Sequence, residues 1–229
     1  MRAFISMENV QKRAGIIFGE NNERMGLAKV FMHLNFRVTS LQRTIRKRDI
    51  DIASRQCAQV FAWIAGVANL AELGINLYQS LLDRYPGVCP YCGDSPHTCG
   101  TKRPDSRLPT DILAHFRNSL PDDIDAQLML YNIYPENVLA ECVEHLIEES
   151  GELGQAISQE SPAEIEIELV DMLAHLCGIA SILGFNLLDQ VLVEYQEGCT
   201  GCGKAPCKCI QFHQCKVGSI SLGESDACS

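Results

Sequence analysis

Between Glu136 and Glu197 the sequence contains neither lysine nor arginine. A solvated helix face rich in Glu and Asp normally carries basic partners three or four residues away, each pair adding about 0.3 kcal/mol. With no such partners, the acids of this stretch are not ordinary surface decoration. Long apolar runs are also missing. The longest apolar stretches, Cys57–Leu73 and Leu169–Leu183, are short and interrupted by polar residues. A bilayer-spanning helix needs about 20 predominantly apolar residues, so these stretches are too short and mixed to span a bilayer and no membrane partner is expected. No alternating apolar–polar run marks a strand, which leaves an all-α chain. The chain opens without a basic-then-apolar secretory signal, so a cytoplasmic location is expected.

What is present is uneven. Net charge is −10 over 229 residues. Residues 1–110 hold 15 Lys and Arg against 9 Asp and Glu, whereas residues 111–229 hold 4 against 20. A basic half and an acidic half in one chain should attract each other.

The acids are concentrated in two motifs, Glu148-Glu149-Ser150-Gly151-Glu152 and Glu168-Leu169-Val170-Asp171. Both lie in segments with helical periodicity. Residues three apart share a helix face, so Glu149 neighbours Glu152 and Glu168 neighbours Asp171. Two antiparallel helices would bring the four carboxylates together. Like charges at that range repel and raise one another's pKa unless a cation sits among them. An all-oxygen donor set suits Mg²⁺ or Mn²⁺, and such ions usually hold phosphates. His175 follows Asp171 by one turn and is a candidate phosphate contact.

The chain also repeats itself. Leu73–Cys99 aligns without a gap with Leu183–Cys209, and His33–Ile45 aligns with His145–Ile157. This predicts a tandem duplication, with residues 1–100 and 111–210 as the copies, 101–110 as the linker and 211–229 as a flexible tail. Each copy reads as two long helices (about 25–47 and 51–73; about 136–158 and 162–183). A short helix (about 76–84; about 186–197) and a cysteine knuckle follow. Asn76 and Asn186 suit N-caps, Ser161-Pro162 suits a helix start, and Gly74 and Gly184 suit C-caps. The first copy has Arg37, Ser40, Ala58 and Phe61 where the second has its four acids. It carries Arg43, Arg46, Lys47 and Arg48 instead, which are expected to face the acidic copy and bind phosphates.

E-E-x-x-E followed about sixteen residues later by E-x-x-D resembles the signature of the MazG-type all-α NTP pyrophosphatases. The resemblance covers about Tyr131 to Tyr195. It implies a Mg²⁺-dependent enzyme that splits a nucleoside triphosphate to the monophosphate and pyrophosphate. It also implies a helical bundle of tandem MazG-like repeats, the first degenerate. On this resemblance Glu149, Glu152, Glu168 and Asp171 would be metal ligands. Glu148 would orient or deprotonate water. Family members are dimers in which two protomers frame the site. A fused pair can mimic that dimer in one chain. The oligomeric state is open between such a monomer and a homodimer that mimics a tetramer. Tyr131, Asn132 and Tyr134 are candidates for stacking on a base.

Twelve cysteines are present. Cys89, Cys92, His97 and Cys99 form one knuckle, and Cys199, Cys202, Cys207 and Cys209 the other. Four thiolate or imidazole ligands within eleven residues suit tetrahedral, structural Zn²⁺. His213 or Cys215 is an alternative fourth ligand in the second knuckle. A competing reading is a non-catalytic nucleotide sensor or a nucleic-acid-binding module. Few basic residues flank the second knuckle, which argues against nucleic acid.

Overall fold

The computed structural model describes residues 6–99, 104 and 106–209. The expected tail at 211–229, with His213 and Cys215, lies outside the described residues. So do Lys102 and Arg103 of the expected linker. The described residues form nine helices and no strand, as the periodicity predicts. These are α1 (Met7–Met25), α2 (Leu27–Arg46), α3 (Ile50–Ala68), α4 (Leu77–Arg84), α5 (Thr110–Asn118), α6 (Ala126–Ile133), α7 (Leu139–Ser158), α8 (Pro162–Leu183) and α9 (Leu187–Glu194). No single helix among the described residues is long and apolar enough to cross a membrane.

Local chemistry sets most boundaries. Asn76 and Asn186 accept hydrogen bonds from the backbone N–H groups of Gln79 and Asp189 and so cap α4 and α9. Gly184 ends α8 in the left-handed region at φ 81°, which costs a glycine little. Pro162 opens α8 as expected, but the Ser161 side chain makes no capping bond. Helix α3 stops at Ala68, five residues short of the expected Leu73. Its cap residue Asn69 is engaged by Gln11, donating to the Gln11 carbonyl and accepting from its amide. Helices α5 and α6 are additions that the periodicity did not reveal.

Helices α2 and α3 fold back on each other across a three-residue turn, as do α7 and α8. Both turns carry a non-glycine residue at positive φ, Arg48 at 59° and Glu160 at 53°. The two hairpins pack together through α2 against α7 and α3 against α8. The short helices are exchanged: α4 packs on α8, and α9 packs on α3.

The two halves match in detail. Helices α2 and α7 are each 20 residues long and begin 112 positions apart, and α4 and α9 are each 8 residues long and begin 110 apart. In the first half the Gln11 amide donates to the Ile75 carbonyl, and its oxygen accepts from Leu77 N–H. In the second half the Gln127 amide donates to the Phe185 carbonyl, and its oxygen accepts from Leu187 N–H. One glutamine thus satisfies the polar backbone at the entry to each short helix. Phe18 meets Tyr195 edge-on at 5.3 Å, and Tyr134 meets Tyr85 edge-on at 6.3 Å. A single buried core joins both halves, running from Val30, Leu34 and Phe61 to Leu146, Leu153 and Leu173. The knuckles cross over too. Cys207 N–H donates to the carbonyl of Ile17 on α1, and His97 N–H donates to that of Ile133 on α6.

Candidate active site

A cavity of about 620 Å³ opens between α7 and α8 on one side and α4, the first knuckle and α6 on the other. Glu149 and Glu152 on α7 and Glu168 and Asp171 on α8 all line it. The helical hairpin turns both acidic faces into the same space, as the spacing predicts. Ligand oxygens of Glu149, Glu152 and Glu168 lie within 4.8 Å of one another.

Asp171 is the exception. It is buried, and it is paired with Arg84 of α4, whose Nε donates at 2.9 Å and whose Nη2 completes a bidentate contact. The Tyr85 hydroxyl donates to the same carboxylate at 2.7 Å. Two-point guanidinium–carboxylate pairs are among the stronger polar contacts in proteins. Three of the four acids therefore converge, and the fourth is turned onto a cation from the other half of the chain.

The electrostatics follow from that arrangement. Burial, with Glu149 and the other acids close by, pushes the Glu168 carboxyl up to about 8. Burial likewise pushes Glu149 up to about 7, reinforced by Asp171, Glu152 and Glu148. Burial and the neighbouring Asp171 hold the Tyr85 phenol well above its usual value. Carboxylates that resist ionisation side by side are stabilised by a cation placed among them. Oxygens on opposite sides of a bound Mg²⁺ stand about 4.2 Å apart, because Mg–O bonds are about 2.1 Å. The donor chemistry and the spacing both fit a hard divalent ion.

His175 lines the cavity, with Nε2 3.7 Å from Glu149, and its ring stacks on His145 at 5.0 Å. Glu148 does not line it. Its side chain is exposed and meets His145 Nδ1 at 3.1 Å. Tyr131 and Tyr134 line the cavity, and Asn132 does not. Arg43, Arg46, Lys47 and Arg48 are exposed at the α2–α3 turn and stand outside the cavity. The structure thus does not bring these four to the acids, and the left-handed Arg48 serves the turn.

The cations that do reach the site are Arg84 and Arg107, which the sequence reading missed. Arg107 lies in the expected linker and donates to the Arg84 carbonyl. Burial and the adjacent Arg84 lower its pKa. A signal for Arg84 existed. Asp83-Arg84-Tyr85 aligns with Val193-Glu194-Tyr195, a charge reversal at an otherwise shared position.

The knuckles form compact clusters. In the second, ligand atoms of Cys199, Cys202, Cys207 and Cys209 all lie within 4.8 Å of one another. Cys199 and Cys209 stand 3.8 Å apart, and Cys202 and Cys207 3.9 Å. A zinc tetrahedron with Zn–S bonds of about 2.3 Å has edges of about 3.8 Å. In the first, Cys89, His97 and Cys99 cluster in the same way. Cys92 Sγ accepts from Thr98 N–H at 3.4 Å. Burial alone would raise the Cys92 thiol, but N–H donors from Thr98 and Asp94 outweigh it and bring it to about 7. The second cluster offers a full tetrahedral zinc set, and the first brings together three of its four expected ligands, with Cys92 outside the group.

Residues 139–194 match the model of the MazG nucleotide pyrophosphohydrolase domain. The match runs from the start of α7 to the end of α9 and contains all four cavity acids. No curated protein and no solved structure matches the chain.

Proposed function

We propose that this protein is a Mg²⁺-dependent nucleoside triphosphate pyrophosphohydrolase, converting (d)NTP and water to (d)NMP and pyrophosphate. The observation that carries the reading is the convergence of Glu149, Glu152 and Glu168 in a cavity whose opposite wall supplies Arg84 and Arg107. The matched MazG domain supports the same chemistry. Glu149, Glu152, Glu168 and Asp171 would hold Mg²⁺ (or Mn²⁺). When bound, the ion would offset triphosphate charge and acidify water.

The chain's own residues do the rest. Arg84 and Arg107 face the acids and bind phosphate oxygens. Arg84 must then leave Asp171 for the phosphates, so ligand binding and release of Asp171 are one event. Water attacks the α-phosphorus, the α–β bridging P–O bond breaks, and pyrophosphate departs. The attacking water's proton passes to a carboxylate of the cluster. Glu148 would act through His145, which lines the cavity. Most of the acceleration comes from positioning and charge neutralisation. Tyr134 and Tyr131 offer faces for a base.

The chain arose by duplication of one helical unit, on this reading, and only the second copy kept its acids. The exchanged short helices let the first half complete the second half's site, so one chain suffices without a homodimer. Two structural zinc ions hold the knuckles, and metal-type cysteine spacing fits a cytoplasmic home. The experiment is a panel of NTPs and dNTPs with Mg²⁺, beside Glu152→Gln. Pyrophosphate release lost in the variant is expected. Orthophosphate release, or no release from any substrate, sinks the proposal.

A further inference from the structure

The first knuckle does more than cap a bundle. Its Pro90, Tyr91 and His97 line the acidic cavity. The Pro90 carbonyl accepts from Leu108 N–H at 2.8 Å, fixing the segment that carries Arg107 into the cavity. His97 N–H donates to the Ile133 carbonyl at 2.9 Å, and its ring lies 5.1 Å from Tyr134. A cation and an aromatic face of the cavity are therefore attached to a segment, residues 89–99, that contains no helix or strand. So short a segment has too little apolar core to hold its own shape, and a bound metal supplies that energy in small cysteine-rich units.

We propose that zinc held by Cys89, Cys92, His97 and Cys99 builds this wall, so that zinc occupancy of the first knuckle sets nucleotide affinity. The proposal rests on the nucleotide reading above. The second knuckle is its internal control. It docks in the same way, on Ile17 and Asn21 of α1. The cavity it borders, through Thr200, is only about 30 Å³ and has no acid among its lining residues. Zinc there is structural and leaves affinity untouched.

The test uses the full chain and three readouts. These are zinc content, equilibrium binding of an α,β-methylene deoxynucleoside triphosphate with Mg²⁺, and turnover. Wild type should hold two zinc ions. Cys99→Ser changes a thiol that does not line the cavity. It should lose one zinc and weaken probe binding and raise KM by about tenfold, with kcat nearly unchanged. Cys209→Ser should lose one zinc with affinity and KM unchanged. His97→Cys copies the second knuckle's ligand set and should keep both zinc ions. Should Cys99→Ser fold poorly, a zinc-selective chelator in excess Mg²⁺, followed by zinc add-back, reads the same effect on wild type. Absence of zinc from wild type overturns the proposal, as does unchanged probe affinity after the first zinc is lost. Zinc-dependent probe binding without turnover would sink the hydrolase reading and leave the knuckle proposal standing. No probe binding by the zinc-loaded chain would sink both.

Discussion

The two halves of this molecule place cavities of very different size at matching positions and line them with opposite charges. In the second half, Glu149 on α7 faces a cavity of about 620 Å³ whose opposing cation is Arg84 of α4. In the first half, the position of Glu149 is held by Arg37 on α2, and that of Arg84 by Glu194 on α9. There the charges close on themselves. Arg37 donates to the Gln59 amide oxygen, and the Gln59 amide donates to Glu194, both at 2.9 Å. Trp63 and Phe18 line what is left, a cavity of about 30 Å³. One scaffold thus supports a filled, self-satisfied version and an open one crowded with acids. The first hairpin folds without the acids, which supports the proposal that they serve a ligand.

The sharpest way to break this comparison is to neutralise one acid on each helix of the acidic hairpin, α7 and α8. Glu152→Gln and Glu168→Gln should each lower turnover by about a thousandfold, the scale of losing a key charge-stabilising group. Arg37→Ala, at the matching position of the filled cavity, should leave turnover unchanged. Pyrophosphate release measures all three. Next in size is the cation that crosses between halves. Arg84→Ala should cost about a hundredfold in kcat/KM, and Arg107→Ala less. Equal effects from Arg84 and from a surface arginine would remove the crossed wall from the account.

A smaller effect concerns pH. Glu149 and Glu168 have folded-state pKa values of about 7 and about 8, raised from 4.5 chiefly by burial. A raised carboxyl contributes stability below its unfolded value, and that contribution is lost as pH rises through the folded value. Metal-free protein should therefore lose thermal stability between about pH 4.5 and 8. Mg²⁺ should restore it most at the upper end, and Glu168→Gln should flatten the slope. Melting curves across pH, with and without Mg²⁺, read this directly. The smallest effect is expected from the α2–α3 turn. Arg43, Arg46, Lys47 and Arg48 are exposed and outside the cavity, so the quadruple alanine variant should keep KM within about twofold. A clear rise would bring that turn back into the site.

Much of this was legible in the sequence, for a physical reason. Helical periodicity tells which residues share a face, and Glu149, Glu152, Glu168 and Asp171 share faces of two adjacent helices. The chain itself joins those helices, so their meeting was foreseeable. Arg84 lies 87 positions from Asp171, on a short helix that packs with the other half. No periodicity reports which faces meet across such a distance. Arg107 was hidden for a related reason, since its segment has the composition of a linker. The hydrogen bonds from Leu108 N–H to the Pro90 carbonyl and from Arg107 to the Arg84 carbonyl bring it inward. The short α5 and α6 gave too few turns to show a period, and the early end of α3 depends on Gln11, 58 residues away from Asn69.

The most direct test of the central claim is hydrolysis in ¹⁸O-enriched water with Mg²⁺, followed by mass analysis of the products. One labelled oxygen in the nucleoside monophosphate and unlabelled pyrophosphate are expected. A labelled orthophosphate with a nucleoside diphosphate, or label in the pyrophosphate, would contradict the claim.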